Sequence, residues 1–383
     1  MASTDANNPL QVLDNVLSTT ISLVTQLESV LTEITADKDY KGQPNTQSPP
    51  QQPLEALSLA QDSATLIRAH STKISLLIIN EPFTPTAIVK VLRELSAGPL
   101  PGLASSAQLC DPARYTQAVR RDLSWRSSQV LKHLKELLQL IPRDGKVLSA
   151  EKKNAAGSAT VSKGSIATTG VLWSACDEVI ALSKLGIAGY LVKRVEQFRD
   201  TLKDVLEELK EWGEEEDEDD SEDDEDGVSA MTANLQSTHV SDAQAMLDDL
   251  MNAHQHIPRD DPDKIRERLD SCLKRLRLTT LLYQAVIKRR LKALPKLPSD
   301  AESSAVVRLN EILPLLKRIP ERFGNLALSF YELEAADIDR LMDQCFFDAF
   351  AVSELLAKPL SGDKEKDEFS DWAVKFQAEI KKG

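Results

Sequence analysis

Apolar residues recur at intervals of three and four along most of the chain, and this spacing constrains the fold more than any other feature. Near the N-terminus the pattern is clear at Leu10, Leu13, Leu17, Ile21 and Val24. Such spacing places apolar side chains on one face of a helix, whereas a strand with one buried face alternates every second residue. No segment alternates convincingly. The sequence therefore predicts an all-α protein built from two antiparallel helical bundles.

An acidic run interrupts the helical pattern near the middle of the chain. Twelve of the thirteen residues from Glu214 to Asp226 are Asp or Glu, and they carry −12 of the formal net charge of −14. Like charges at this density repel one another and bury no apolar surface. We therefore predict a disordered acidic linker at 213–241, between an N-terminal bundle at 1–212 and a C-terminal bundle at 242–383.

Proline and glycine mark further predicted breaks. Residues 41–53 contain four prolines without apolar periodicity, and residues 154–170 are small, polar and Gly-rich, so both are predicted loops. A single helix is predicted from Pro112 to Ile141. Pro314 and Pro320 lie inside another helical pattern and predict a kink or a split there.

Cysteine use and hydropathy indicate the cellular setting. The four cysteines are far apart in sequence and form no CxxC or CxxH pair, so neither a metal site nor a cofactor is predicted. Each is interpreted as a small buried apolar residue. No segment has the roughly 18 uninterrupted apolar residues that cross a bilayer, and the N-terminus lacks the pattern of a signal peptide. We expect a soluble protein in a reducing compartment.

Motifs for catalysis are missing from the sequence. It contains no GxSxG elbow, P-loop, GxGxxG fingerprint, HExxH pair or EF-hand loop. Trp125 and Trp173 each lie in an apolar helical pattern and are interpreted as core anchors. We expect a protein that is not an enzyme, and long amphipathic helices without a reaction site are typical of interaction modules.

A basic helix is predicted after the acidic run. Residues 264–296 hold eleven Lys or Arg against two acidic residues, a formal charge of +9. One side of this helix is a predicted core face that ends in a basic residue: Ile265, Leu269, Cys272, Leu276, Tyr283, Val286 and Arg290. The predicted basic face consists of Arg266, Arg268, Lys274, Arg275, Arg277, Lys288, Arg289, Arg290 and Lys292.

Three interpretations of this basic face stay open: a solvated helix surface, a site for an anionic partner or nucleic acid, and a docking surface for the acidic run. Nucleic acid is the least favoured, because neither interleaved aromatic residues nor an overall basic domain is present. The segment from Ile287 to Lys292 is also similar to a basic nuclear-import signal. Ser221, which is followed directly by Glu222, Asp223 and Asp224, is a candidate phosphorylation site whose modification would add negative charge.

Two short stretches resemble the cyclin-D-binding proteins of the GCIP or Maid-like type. Residues 170–179, GVLWSACDEV, look like that family's apolar-Trp-x-Ala-Cys helix, and residues 325–331, NLALSFY, are similar to its D-L-A-L-S-aromatic-Tyr stretch. The resemblance implies an all-helical two-domain protein of nucleus and cytoplasm. Such proteins bind cyclin D and helix-loop-helix proteins and restrain cell-cycle progression and transcription. The family offers no catalytic residues to carry over.

Together with the missing catalytic motifs, the resemblance implies a non-enzymatic helical-bundle regulator that binds cyclin or helix-loop-helix partners in cell-cycle and transcriptional control. Two alternatives are a cytoskeletal or adhesion-type helical scaffold and an acidic chaperone for basic proteins. Neither direct nucleic-acid binding nor membrane binding is expected. The sequence leaves open whether the chain forms a homo-oligomer.

Overall fold

The computed structural model describes residues 8–37, 55–149, 164–214, 256–294, 297–298, 304–360 and 366–382. Most of these residues are helical and none forms a β-strand, so the predicted all-α class is confirmed for them. None of the helices in these ranges is long and apolar enough to cross a membrane. Ser221, the acidic run beyond Glu214 and the predicted loop 41–53 lie outside the described residues.

The helices have the following bounds. In chain order the described α-helices are α1 Pro9–Ala36, α2 Ala56–Ile79, α3 Pro85–Ala97, α4 Pro99–Leu109, α5 Pro112–Tyr115, α6 Gln117–Gln139, α7 Ser165–Glu214, α8 Ile265–Val286, α9 Ser304–Tyr331, α10 Ala335–Leu355 and α11 Glu368–Ile380. A π-helical turn, Ile287–Leu291, continues α8. Helix α7 is kinked at Gly186, whose φ of 64° lies outside the helical region.

The chain divides into two compact units. Unit 1 comprises Met1–Val192 with Leu294–Glu311, and unit 2 comprises Lys193–Ala293 with Ile312–Gly383. Helices α7 and α9 contribute residues to both units. This division differs from the predicted one, which put residues 193–212 with the N-terminal bundle and residues 294–311 with the C-terminal bundle.

Contacts within unit 2 explain why the end of α7 is grouped there. Trp212 is buried, and its ring centre lies 6.2 Å from that of Phe330 and 5.4 Å from that of Tyr331. Aromatic pairs at such distances contribute packing energy beyond their buried area. The aromatic residues of α9 thus fix the last turns of α7.

In unit 1, α1 and α6 pack in opposite directions. Arg121 Nε donates to the backbone oxygen of Thr35 at 3.2 Å, and Arg143 Nη1 lies 2.8 Å from Asp14 Oδ1 beyond the other end of the pair. Leu13, Leu17, Val24 and Leu31 of α1 are buried, as their spacing predicts.

The helix predicted from Pro112 to Ile141 is interrupted at Thr116. This residue has a φ of 80°, which separates α5 from α6. The side chain of Asn310 accepts from the backbone N–H of Gln117 at 2.8 Å and donates to the backbone oxygen of Pro112 at 3.1 Å. A partner almost 200 residues away therefore stabilises the break, and the local sequence cannot show it.

The predicted loop 154–170 extends too far, because α7 already begins at Ser165. Residues 154–163 lie outside the described part of the chain. Thr169 is buried, and its hydroxyl bonds to the backbone oxygen of Ser165 at 2.7 Å and to Ser75 Oγ at 3.1 Å. Packing on α2 thus turns a small polar stretch into helix despite its weak helix propensity.

Helix α9 is continuous through both of its prolines, so of the kink or split predicted there the split is wrong. An interior proline costs about 3 kcal/mol in a regular helix. The side of α9 that carries Ile312, Leu316 and Ile319 is fully buried, and this burial offsets the cost.

Candidate functional site

Helix α8 carries the predicted basic face and begins at a side-chain cap. The carboxylate of Asp261 accepts from the backbone N–H groups of Ile265 at 2.7 Å and Arg266 at 2.9 Å. These are N–H groups that the first helical turn leaves unpaired. The predicted core face is confirmed, since all of its members are buried: Ile265, Leu269, Cys272, Leu276, Tyr283, Val286 and Arg290.

Five residues of the predicted basic face are engaged by other groups. They are Arg266, Arg268, Arg275, Arg289 and Arg290. Arg268 forms a two-point pair with Asp339 at 2.8 and 2.9 Å, which raises the pKa of Arg268 and lowers that of Asp339. The guanidinium of Arg275 lies 3.7 Å from the centre of the Phe346 ring, and burial lowers its pKa. These cations stabilise unit 2 and are not free for a partner.

Arg290 is buried and joins three segments of unit 2. Its guanidinium, 2% exposed, contacts the two carboxylate oxygens of Asp367 at 2.5 and 2.9 Å. It also donates to the backbone oxygens of Leu356 at 2.9 Å and Ala357 at 3.2 Å, and it stacks 4.2 Å from the centre of the Phe369 ring. The pairing with Arg290 holds the pKa of Asp367 well below its usual range. Arg290 thus fastens the π-helical turn to the end of α10 and to the N-cap of α11.

The segment similar to an import signal, Ile287 to Lys292, forms the π-helical turn and one following residue. Within it Arg290 is buried, and Arg289 lies 3.6 Å from the carboxylate of Glu368. Only Lys288 and Lys292 are both exposed and without an ion pair to a described residue. In this conformation the segment presents two free cations instead of four.

The residues of the predicted basic face that make no such contact form part of a continuous exposed stripe. Its four cations make no ion pair with any residue that the structure describes. Its members follow one another at intervals of three and four, so they share one side of α8 and the π-helical turn. We call this surface the cationic stripe: Lys274, Arg277, Leu281, Gln284, Lys288 and Lys292.

A second candidate surface lies in unit 1, where α7 contacts α2 and α6. Arg68 Nε of α2 lies 3.1 Å from Asp177 Oδ1, and its guanidinium is 5.4 Å from the centre of the Trp173 ring. Arg126 of α6 forms an ion pair with Glu178. Both acidic residues of the Trp-Ser-Ala-Cys-Asp-Glu stretch are therefore paired with an arginine of a neighbouring helix.

Trp125 is half-exposed on this side of α6, with 51% of its surface accessible, so its interpretation as a core anchor is wrong. Trp173 is only partly buried. The phase of the helix explains the position of Trp125, because the buried Leu123 and Val130 of α6 do not stand three or four residues from it. Its neighbours on the exposed side are Asp122 and Arg126, which pair at 2.8 Å. A helical wheel of α6 places Trp125 away from the side that carries Leu123 and Val130, so its exposure can be predicted from the sequence. We call Asp122, Trp125, Arg126 and Glu178 the Trp125 surface.

The cysteines and acidic residues of the described segments were compared with the requirements of a metal site and of a reactive thiol. No group of three or more His, Cys, Asp or Glu residues in these segments is placed to hold a metal ion. The four cysteines are buried free thiols, which confirms their interpretation as small buried residues. Burial raises the pKa of Cys176 and Cys272 to about 12, so these two carry little thiolate at neutral pH.

Comparison with known proteins finds a family model that matches part of the chain. Residues 60–215 match the family model described as "Grap2 and cyclin-D-interacting, N-terminal". This confirms the resemblance inferred from the sequence, and the match includes all of α3 to α7 and most of α2. An uncharacterized protein of Schizosaccharomyces pombe is similar, with 26% identity over 157 residues. The alignment covers 41% of this chain and 44% of that relative, so it spans less than half of either protein.

Proposed function

We propose that the protein is a non-enzymatic helical-bundle regulator that binds a cyclin or helix-loop-helix protein, because residues 60–215 match the Grap2 and cyclin-D-interacting family model. It would act in cell-cycle and transcriptional control, in the nucleus and the cytoplasm. The observation that carries this proposal is the Trp125 surface, which lies entirely within the family-matched residues.

The exposure of Trp125 leaves free energy available for binding. A tryptophan side chain buries roughly 150–250 Å² when it is enclosed, so about 100 Å² of Trp125 is still in contact with water. Covering that area would contribute about 2.5 kcal/mol at 25 cal/mol per Å². Tryptophan and arginine are also the residues that most often dominate binding energy in protein interfaces. Trp125 is therefore the expected centre of the contact.

The charged groups around Trp125 are already held in position. Arg126 is 22% exposed and is fixed between Asp122, on its own helix, and Glu178 of α7. A side chain that is ordered before binding loses less conformational entropy when the partner arrives. The paired charges form a polar rim around an apolar centre, which is the usual arrangement of a specific interface.

The shape of α6 favours a helical partner. Its 23 residues form one helix, about 34 Å long at 1.5 Å per residue. A second helix can pack along such a rod and place an apolar ridge over Trp125, as in helix-in-groove recognition. Cyclin or helix-loop-helix proteins would supply that helix.

The proposal is tested with purified components. The full chain is mixed in turn with a purified D-type cyclin and with a purified helix-loop-helix protein and analysed by gel filtration with light scattering, and a stoichiometric complex with one of them is expected. The same chain mixed with filamentous actin serves as the comparison for a scaffold function, and it should not sediment with the filaments. Actin co-sedimentation without cyclin or helix-loop-helix binding would contradict the proposal.

A further inference from the structure

We propose that the cationic stripe of α8 is the docking surface of the chain's own acidic run, Glu214 to Asp226. The inference concerns unit 2 alone and does not depend on the proposed partner. It rests on the unpaired charges of the stripe, the place where the run leaves α7, and the length of the run compared with that of the stripe.

The stripe offers four cations to an acidic peptide. Lys274, Arg277, Lys288 and Lys292 are exposed and form no ion pair with a described residue, in contrast to the arginines on the other sides of α8. Leu281, 49% exposed, lies between the two pairs of cations. The described surface of the stripe contains no aromatic side chain, which disfavours single-stranded nucleic acid because its bases bind by stacking.

The acidic run begins beside the first turn of the basic helix. Arg266 Nη1 donates to the backbone oxygen of Gly213 at 3.4 Å. Gly213 also lies so close to Leu269 that an added Cβ would clash with that side chain. The residue before the run is therefore held against α8. The run therefore begins at the N-terminal end of α8. The stripe extends from Lys274 toward the other end of the same helix.

The length of the run matches the length of the surface. The twelve residues that follow Glu214 in the run can extend about 40 Å, at 3.3–3.6 Å per residue. The rise from Arg266 to Lys292 is about 39 Å at 1.5 Å per helical residue. A chain that starts at Gly213 can thus reach every cation of the stripe.

Tethering makes the chain's own run the favoured occupant. Single exposed ion pairs are weak, but the short connection keeps the run at a local concentration of roughly millimolar or higher. The run also carries twelve carboxylates against four cations, so many arrangements satisfy the stripe. Salt should weaken the contact, because the Debye length is only about 8 Å at physiological ionic strength.

The test compares lysine reactivity in two forms of the full chain. In the variant, the eleven acidic residues at 215–226 are replaced by Asn or Gln, and Glu214 is kept because it pairs with Lys210. Acetylation with an amine-reactive ester is followed by mass spectrometry in 20 mM and 500 mM salt. Lys90 and Lys375, which are exposed and outside α8, are the reference lysines.

At low salt we expect Lys274, Lys288 and Lys292 to react at least about threefold faster in the neutralised variant, while the reference lysines are unchanged. The difference should vanish at high salt. Equal rates in the two forms at low salt would overturn the proposal. Protection that requires added acidic protein or nucleic acid would assign the stripe to a separate partner and overturn it as well.

Discussion

Replacing Arg290 with methionine is expected to release α11 from unit 2. Methionine keeps an apolar side chain under Phe369 but removes every hydrogen bond to Asp367, Leu356 and Ala357. Removing one partner of a buried ion pair costs roughly 3–5 kcal/mol, and the lower value applies because Asp367 is 33% exposed. Hydrogen exchange of residues 368–380 should therefore accelerate about 100-fold.

The neighbouring arginine is the matched control for this change. Arg289→Ala removes a cation from the same turn, but Arg289 is 42% exposed and its partner Glu368 is 87% exposed. Exposed pairs contribute about 0–1 kcal/mol, so exchange in α11 should change less than fivefold. Equal effects of the two substitutions would contradict the assignment of Arg290 as the residue that fastens α11.

Replacing Trp125 with alanine is expected to abolish most of the affinity for a helical partner while leaving the fold intact. The substitution removes the aromatic group at the centre of the Trp125 surface, and a hot-spot residue of this kind contributes about 2 kcal/mol or more. The dissociation constant for a purified D-type cyclin should rise about 30-fold by isothermal titration calorimetry. Thermal unfolding should shift little, since half of the side chain is already in water.

Leu76→Ala provides the control for a lost apolar contact. Leu76 of α2 is 52% exposed, close to the value for Trp125, and lies outside the Trp125 surface. Its substitution should change the dissociation constant less than twofold. If both variants bind as tightly as the unmodified chain, the partner contacts another face. If both bind weakly, the effect of Trp125 is not specific.

The spacing of apolar residues was sufficient to predict the helices and the buried side of α8. That prediction extended to Arg290, whose position in the pattern indicated burial even though its side chain is charged. Its partner could not be predicted, because Asp367 is 77 residues away and belongs to another helix. The pattern fixes which side of a helix is buried, but not what that side contacts.

The remaining errors have the same physical origin. The break at Thr116 depends on Asn310, and the early start of α7 depends on contact between Thr169 and Ser75. Both contacts connect residues that are distant in sequence. The error at Trp125 has a different origin, because the helical phase of Trp125 relative to Leu123 and Val130 can be read from the sequence without any distant contact.

The basic face shows how a charge count overestimates a binding surface. The predicted face has nine residues. Five of them contact carboxylates, backbone oxygens or an aromatic ring elsewhere in unit 2. Arginine is suited to such use because its planar guanidinium makes several hydrogen bonds and stacks on aromatic rings. Three of the four residues left in the cationic stripe are lysines. With the exception of Arg277, the arginines of the basic face therefore contact other groups of unit 2, whereas its lysines stay exposed in the stripe.

The most direct test of the account is hydroxyl-radical footprinting of the full chain with and without a saturating D-type cyclin. Oxidation of Trp125 is read by mass spectrometry, with the 70% exposed Phe347 as an internal reference in unit 2. If the Trp125 surface binds the partner, oxidation of Trp125 should fall several-fold while that of Phe347 stays constant. Unchanged oxidation of Trp125 in a complex that has demonstrably formed would contradict the account.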